Sequence, residues 1–326
     1  MPYTVCCLPS MKDRIYLAVF LLGAGALLYA GRGLIAKSVV VTAGLTFAGT
    51  TAAGVFGLAL YRVQIQLRAS RMELARKQAE LNFAHEVQRA LFPRQFPADS
   101  GLEFSAVCVP ASGISGDYYD VLQLPNGRLI FAVADISGKG ISAAILMSNV
   151  QAVLRTLAEA GRSPAEVCSQ LNRHLYRVTD DSWFATFFYA EWNPCNGTLT
   201  YINAGHTTPV LWGSLRGQRL DEGGVPLGIF PDPEFQVGKV GLQPGDLLAV
   251  YSDGVTEAGV RRGELFGEAR LEALVTTHAQ KPLEEIQQQV LREVRKWAGE
   301  EPEDDVTLLL VRAKDAARRG DEYQRA

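Results

Sequence analysis

Short apolar runs that meet aspartate at one end constrain this chain most strongly. Two runs end at Asp135 and Asp253, and a third follows Asp304-Asp305: Leu129–Ala134, Leu247–Ser252 and Val306–Val311. Runs of this length are typical of strands packed into a core. If these strand ends converge on one rim, the carboxylates repel each other unless a proton or a cation neutralises them. Because oxygen ligands select hard ions such as Mg2+ or Mn2+, the pattern predicts an acidic hydrolytic site for two metal ions.

Glycine-rich segments lie beside these aspartates. Ser115-Gly116 precedes a fourth candidate, Asp117, and Ser137–Gly140 follows shortly after Asp135. Glycine lets the backbone approach a ligand closely. The second segment leads into a predicted helix, whose N-terminus is a natural site for an anion. Lys139 is therefore a candidate phosphate contact, although the spacing of a P-loop is absent.

Two uncharged apolar segments occupy the N-terminal part of the chain, at residues 15–31 and 38–61. A spanning helix needs about 20 apolar residues, so the second segment is long enough and the first is at the short limit. Basic residues from Arg62 to Lys77 mark the cytoplasmic side. The pattern predicts a short segment 1–14 and a transmembrane hairpin at 15–61, with the remainder in the cytoplasm. The alternative is that the first segment is a cleaved signal peptide.

Residues 62–92 read as a helical linker, since 62–91 contain neither glycine nor proline. Leu67, Leu74 and Leu81 are seven residues apart, which is the spacing of a short coiled coil and predicts a possible homodimer. The alternative is a single amphipathic helix that lies on the domain or on the membrane surface. Pro93 and Pro97 end the helix.

The remaining chain predicts one domain at 93–313 and a disordered tail at 314–326. We expect strands at 102–109, 118–124, 129–135, 184–192, 197–203, 209–212, 235–240, 247–252 and 306–312, and helices at 142–160, 164–179, 270–279 and 283–297. Consecutive hairpins, one across Pro125-Asn126-Gly127, favour antiparallel sheets over βαβ units. The expected class is α+β, with amphipathic helices covering the outer faces of the sheets.

Composition excludes several classes of protein. The net charge of −3 gives no basic balance for binding nucleic acid. The five cysteines have no CxxC spacing, which argues against a zinc site or a disulfide framework. Cys108 and Cys168 lie in apolar sequence and are interpreted as core residues.

Six ordered motifs resemble a known family: Gly116–Asp120, Val133–Gly140, Asn203–His206, Val225–Gly228, Tyr251–Ala258 and Asp304–Thr307. They are similar to the bacterial SpoIIE/RsbU branch of the PPM (protein phosphatase 2C-like) serine/threonine phosphatases. Glu86–Pro93 also resembles the linker just ahead of that branch's catalytic domain. The resemblance covers about Glu86–Arg312 and implies an antiparallel β-sandwich flanked by helices on both faces.

The resemblance also implies a centre of two divalent cations, Mn2+ or Mg2+. Asp135 would bridge both ions, the backbone oxygen of Ile136 would add a ligand, and Asp253 and Asp304 would hold one ion. Asp117 would act directly or through water. Asp305 is a second choice, because many relatives have Asn there.

The function implied by the resemblance is that of a metal-dependent phosphoprotein phosphatase, and the predicted hairpin would anchor it in the bacterial inner membrane. Its substrate would be a phosphorylated regulatory protein of the anti-sigma-antagonist type. A metal-bound hydroxide would attack phosphorus, so Asp117, Asp135, Asp253 and Asp304 would act through that water. Alternatives are a non-catalytic signalling scaffold of the same fold and a small-molecule phosphohydrolase. His206 is interpreted as structural, and the general acid is unassigned.

Overall fold

The computed structural model describes residues 11–32, 39–98, 100–125, 127–179, 182–213, 217–299 and 302–314, with only the backbone described for 11–18. These residues form two compact units that divide after Lys77. The predicted tail at 314–326 lies outside the described residues, except for Lys314. Residues 33–38 of the predicted transmembrane hairpin also lie outside the described residues.

The first unit consists of helix α1, Met11–Ala30, and most of helix α2, Val39–Arg89. The two helices touch through Phe20 and Phe56, whose ring centroids are 5.9 Å apart. The apolar part of α2 is long enough to cross a membrane, and none of it is buried against protein. The apolar stretch described in α1, Val19–Ala30, is shorter than a span. The transmembrane hairpin therefore stays a prediction.

The second unit is built from two β-sheets. Its strands are β1 Leu102–Val109, β2 Tyr118–Gln123, β3 Leu129–Ile136, β4 Ala185–Asn193, β5 Thr198–Ala204, β6 Val210–Trp212, β7 Gln218–Arg219, β8 Gly223–Gly224, β9 Gly238–Gly241, β10 Leu247–Tyr251 and β11 Val306–Ala313. One sheet has the order β1-β11-β10-β6-β7, and the other has the order β2-β3-β4-β5-β8 with β9 also paired to β5. All pairs are antiparallel except β5 with β8.

In the described part of this domain, five α-helices accompany the sheets: α3 Ile141–Glu159, α4 Pro164–Val178, α5 Asp253–Thr256, α6 Gly267–Thr277 and α7 Leu283–Ala298. Helix α4 begins with a complete capping box, in which Ser163 and Glu166 satisfy each other's backbone N–H groups. Helix α3 is also long and apolar enough to cross a membrane, but its apolar face is packed in the core of this domain.

Alternation along the strands explains the layers. In β4, Phe188 points into the core between the two sheets, and its neighbours Phe187 and Tyr189 point to the outer face under α3 and α4. The other sheet presents Leu308 and Leu310 to α6 and α7. Full burial of one such side chain contributes about 1.5–3 kcal/mol. The predicted α+β class, with antiparallel sheets covered by helices on both outer faces, is confirmed for this domain.

The differences from the predicted elements are local. The strand expected at 235–240 is observed at Gly238–Gly241. Residues 235–237 follow Pro231 and Pro233, and the hydrogen bond from Gln236 N to Gly223 O does not extend into a ladder. Strands β7 and β8 were not expected, since two residues carry no readable periodicity. The turn residue Asn126 lies outside the described part of the chain.

Candidate functional site

Four predicted acidic positions meet at one edge of the domain because of strand register. Tyr118 pairs with Ala134 in the β2–β3 hairpin, so Asp117 and Asp135 occupy the next opposing positions. In the other sheet Asp253 follows β10 directly, and Asp304 precedes the neighbouring strand β11. The strand pairs β2–β3 and β10–β11 therefore supply carboxylates to the same edge of the sandwich.

The carboxylates of this edge act on one another's pKa. Burial, together with the negative charges of Asp253, Asp304 and Asp305, raises the pKa of Asp135 to about 7. A side-chain interaction with Asp117 opposes part of this rise. A carboxylic acid that charges only near neutral pH, in the company of other carboxylates, is the local pattern of a functional cluster.

Asp117 is the most deeply buried member of the cluster, with 1% of its surface exposed. Burial raises the pKa of Asp117 well above its ordinary value, and the charge of Asp135 adds to this. Its Oδ2 atom has no hydrogen-bond partner among the described residues. The neighbouring hydroxyls of Thr307 and Ser252 lower its pKa only in part. An unsatisfied carboxylate oxygen in this position is suited to a cation.

Asp253 occupies the first turn of the short helix α5. Burial raises the pKa of Asp253, followed by the charges of Glu257 and Asp304, while Lys139 opposes the rise. The next residue, Gly254, is in close contact with the backbone: a Cβ atom there would lie 2.1 Å from the carbonyl oxygen of Asp305. Only glycine therefore permits the α5 turn to approach β11 closely enough to bring Asp253 and Asp304 together.

Asp305 has a different environment from the other aspartates. Its Oδ1 accepts a hydrogen bond from the backbone N–H of Ala111 at 2.7 Å. Its Oδ2 accepts from the Ser115 hydroxyl at 2.9 Å and from the Gly116 N–H at 2.7 Å. Both oxygens already have donors, which favours a role in fixing the loop before Asp117 over the ligand role that the sequence left as a second choice.

Lys139 lies at the same edge. Its Nζ is 2.8 Å from Oδ2 of Asp304 and donates to the backbone oxygen of Glu303 at 2.9 Å. Both partners of this ion pair are about half exposed. The side chain predicted to contact phosphate is thus positioned by a predicted metal ligand, and its contact with phosphate stays a prediction.

The residues fit a hard divalent cation in their chemistry. Across the described residues, no group of three or more His, Cys, Asp or Glu side chains is close enough to hold one ion in the positions that they adopt. The electrostatic coupling of Asp135 with Asp253 and Asp304 nevertheless places these groups within range of one another. A donor set made of carboxylates and a backbone oxygen, without nitrogen or sulfur, selects Mg2+ or Mn2+.

Residues beneath the acidic edge were not predicted to belong to the site. Ser115 donates to Asp305, and Ser252 links β10 to β11 through its hydroxyl, which accepts from Thr307 N at 2.9 Å. The thiol of Cys108 donates to the Ser115 hydroxyl at 3.2 Å, and burial raises the pKa of Cys108 to about 12. This thiol is therefore protonated at neutral pH and is not a nucleophile. The Ser-Gly-Asp and Asp-Asp-Val-Thr sequences are the only signal that could have indicated these positions.

His206 is buried at the neighbouring strand end. Its Nδ1 is 2.8 Å from the hydroxyl of Thr186, and its backbone N–H donates to Oδ1 of Asn203 at 2.7 Å. Burial lowers the pKa of His206 to about 4, so the ring is neutral at pH 7. These contacts agree with the structural interpretation of the Asn203–His206 motif.

Comparison with known proteins finds a family model and relatives that agree with one another. The family model "Stage II sporulation protein E (SpoIIE)" matches residues 125–314. The chain is 32% identical over 262 residues to "Phosphoserine phosphatase RsbU" of Bacillus subtilis (strain 168), a match that covers 79% of this chain and 76% of the relative.

Two solved structures have a similar fold. The RsbU and RsbW domains of Rv1364c from Mycobacterium tuberculosis match with a TM-score of 0.58 and 27% identity, over 65% of this chain and 60% of that chain. The SiaA-PP2C domain of Pseudomonas aeruginosa matches with a TM-score of 0.65 and 22% identity, over 73% of this chain and 98% of that chain. The second match is evidence for the fold alone.

Proposed function

Because the chain belongs to the SpoIIE family and is a protein phosphatase of the PP2C type, we propose that it removes phosphate from phosphoserine or phosphothreonine on a small regulatory protein. The substrate class is that of the anti-sigma-antagonist regulators, in line with the phosphoserine phosphatase named among its relatives. The observation that carries this proposal is that the charges of Asp253 and Asp304 act on Asp135, which lies beside a buried Asp117 whose Oδ2 has no hydrogen-bond partner among the described residues.

The proposed metal ligands are Asp117, Asp135, the backbone oxygen of Ile136, Asp253 and Asp304. Two Mn2+ or Mg2+ ions at these residues would supply an acidified water and charge stabilisation for phosphoryl transfer. The chain's own contribution is electrostatic, because the raised pKa of Asp135 reflects a surplus of negative charge that a cation relieves.

The proposed phosphate subsite is the loop Ser137–Gly140 with the start of α3. Gly140 precedes the helix without a side-chain cap, so the first backbone N–H groups of α3 have no capping side chain. N–H groups at a helix N-terminus favour an anion. Lys139, tethered to Asp304, adds a positive charge at this position. The phosphoryl group would thereby be held beside the acidic cluster rather than within it.

We further propose that the protein is anchored in the bacterial inner membrane by α1 and the apolar part of α2, with the catalytic domain in the cytoplasm. The exposed apolar side chains from Val39 to Tyr61 support the anchor. The exposed Leu67 and Leu74 support a homodimer through residues 62–92. The catalytic domain at 93–313 would follow this linker directly.

The test is phosphate release by the full chain in detergent micelles, from a phosphorylated regulator and from p-nitrophenyl phosphate. We expect Mn2+-dependent hydrolysis of the phosphoprotein that EDTA abolishes. We expect Asp253→Asn to remove most of the activity, whereas Asp232→Asn, a matched change at an exposed position, leaves it unchanged. Activity that survives both EDTA and Asp253→Asn would rule out the proposed chemistry, and preference for the small ester would rule out a protein substrate.

A further inference from the structure

One polar side chain near the end of α2 is buried, although the helix around it is exposed. Gln88 is the only one of the 51 residues of α2 that is buried, with 4% of its surface exposed. Polar residues of this size are mostly exposed in proteins, and a buried amide must be hydrogen-bonded. The position of Gln88 therefore calls for a specific partner.

That partner is the backbone of Ser115. The amide Nε2 of Gln88 donates to the carbonyl oxygen of Ser115 at 2.7 Å, and Oε1 accepts from the Ser115 N–H at 3.0 Å. One side chain thus satisfies both backbone groups of a residue 27 positions away, as a neighbouring strand would do. Only an amide of this length has the donor and the acceptor that this pairing requires.

Ser115 in turn fixes the backbone of a proposed metal ligand, Asp117. Its hydroxyl accepts from the Asp117 N–H at 3.0 Å and donates to Asp305 Oδ2 at 2.9 Å. Gly116 lies close against the strand that carries Asp135, since a Cβ atom there would lie 3.1 Å from the backbone oxygen of Ile136. The segment 115–117 is therefore held by α2 on one side and by Asp305 on the other.

The end of α2 is also tied to the helix that follows Asp135. Gln151 of α3 donates through Nε2 to the backbone oxygen of Leu91, just beyond α2. The ring of Phe92 then packs against that of Tyr119, two residues after Asp117, at a centroid distance of 4.9 Å and a tilt of 38°. The position of Gln88 is thus fixed by its neighbours, which a side chain needs if it is to hold another segment.

We propose that Gln88 is a positioning residue that holds the segment Ser115–Asp117 so that the Asp117 carboxylate faces Asp135. The inference rests on the proposed function, because it concerns the same acidic site. It adds a residue of the linker helix, outside the catalytic strands and loops, to the group that determines affinity for the divalent cation.

The test compares Gln88→Met with the wild-type full chain in detergent micelles. Methionine fills a similar volume but neither donates nor accepts in place of the amide. Mn2+ binding is measured by titration calorimetry without substrate, and phosphatase activity is measured over a range of Mn2+ concentrations. The matched control is Gln78→Met, the same change at an exposed position of the same helix.

We expect Gln88→Met to bind Mn2+ about 10–100-fold more weakly, the range found when residues that orient metal ligands are removed. Its activity should return at excess Mn2+ with the KM for the phosphoprotein unchanged, a rescue that general damage to the fold would not produce. Gln78→Met should behave like wild type. If Gln88→Met does not fold, Gln88→Asn, which withdraws the amide by one methylene, should show the same loss.

Unchanged Mn2+ affinity in a folded Gln88 variant would overturn the proposal, as would a loss of activity that excess Mn2+ does not restore. A wild-type chain that binds no Mn2+ would overturn it together with the metal site. A wild-type chain that binds Mn2+ but releases no phosphate would contradict the proposed function alone, because the calorimetric comparison of the Gln88 variant would still decide the role of Gln88.

Discussion

Replacing Asp135 by asparagine should stabilise the protein when divalent cations are removed, although it should destroy activity. Burial and neighbouring charges raise the pKa of Asp135 from an ordinary 3.8 to about 7. The unfolded chain releases this proton near its ordinary pKa, whereas the folded chain retains it until about neutral pH. The folded state is therefore penalised progressively as the pH rises from about 4 to 7, and the penalty is constant above that range.

The size of the effect follows from the shift. A difference of about three pKa units corresponds to about 4 kcal/mol at pH 8, which is an upper limit because Asp117 and Asp135 titrate as a pair. In a domain of this size about 1 kcal/mol changes the Tm by roughly 2–4 °C. Asp135→Asn should thus raise the Tm at pH 8 in EDTA by several degrees, and at pH 4 the difference should vanish.

Tryptophan fluorescence is the suitable assay, because all four tryptophans, at positions 183, 192, 212 and 297, lie in the catalytic domain. Thermal unfolding of wild type and Asp135→Asn is compared at pH 4 and pH 8 in EDTA, with Asp232→Asn as the exposed control. Mn2+ at 100 times its Kd should narrow the difference at pH 8, because it adds about 2.7 kcal/mol to wild type only. An Asp135→Asn variant that is no more stable than wild type at pH 8 in EDTA would refute the electrostatic reasoning.

Three further predictions concern other parts of the chain. Lys139→Ala should lower kcat/KM for the phosphoprotein about tenfold through loss of a phosphate contact. The free energy of unfolding should change by less than about 1 kcal/mol, because the ion pair with Asp304 is exposed. Unchanged steady-state kinetics would contradict this prediction. Gly254→Ala should cost at least about 1–3 kcal/mol in fluorescence-detected unfolding, since its Cβ would overlap the oxygen of Asp305; an unaltered midpoint would show that the α5 turn can move. Leu74→Pro should break α2, because proline in a helix interior costs about 3 kcal/mol of helix stability. It should abolish dimer cross-linking and normal regulation in membranes. A variant that keeps both would exclude a role for the linker.

The long strands and helices of the catalytic domain were predictable because each carries a repeated pattern. The apolar run before Asp135 identified β3 within one residue, and the two helices after it were placed equally well. Strands β7 and β8 were not predictable, since each has only two residues and pairs according to the surrounding fold. Local sequence gives no periodicity to such short segments.

The sequence predicted the residues of the site better than it predicted the contacts between them. The recurring strand–aspartate pattern named Asp117, Asp135, Asp253 and Asp304, and the register explains why they meet. The burial of Gln88 could not be predicted, because a glutamine in a helix rich in charged residues reads as part of a solvated face. Its partner Ser115 is 27 residues away, and no local pattern connects the two positions.

Two buried aspartates three positions apart show how contacts separate a structural carboxylate from a functional one. Asp120 and Asp117 are both 1% exposed. Asp120 accepts two hydrogen bonds from the guanidinium of Arg155, at 2.7 and 3.1 Å, and one from the Tyr118 hydroxyl at 2.6 Å. A buried carboxylate that is paired with a cation and accepts from a hydroxyl has its charge and both oxygens satisfied, and this pair fixes α3 to β2.

Asp117 has no such cation, and its Oδ2 has no donor among the described residues. An ionised carboxylate left in this state is strongly disfavoured, which is why the pKa of Asp117 is raised well above its ordinary value. The fold leaves Oδ2 of Asp117 without a hydrogen-bond partner among the described residues, although it provides a cation and a hydroxyl donor for Asp120 three positions away. That contrast, which the Gly116–Asp120 sequence alone does not reveal, is the reason to propose Asp117 as a metal ligand and Asp120 as a structural residue.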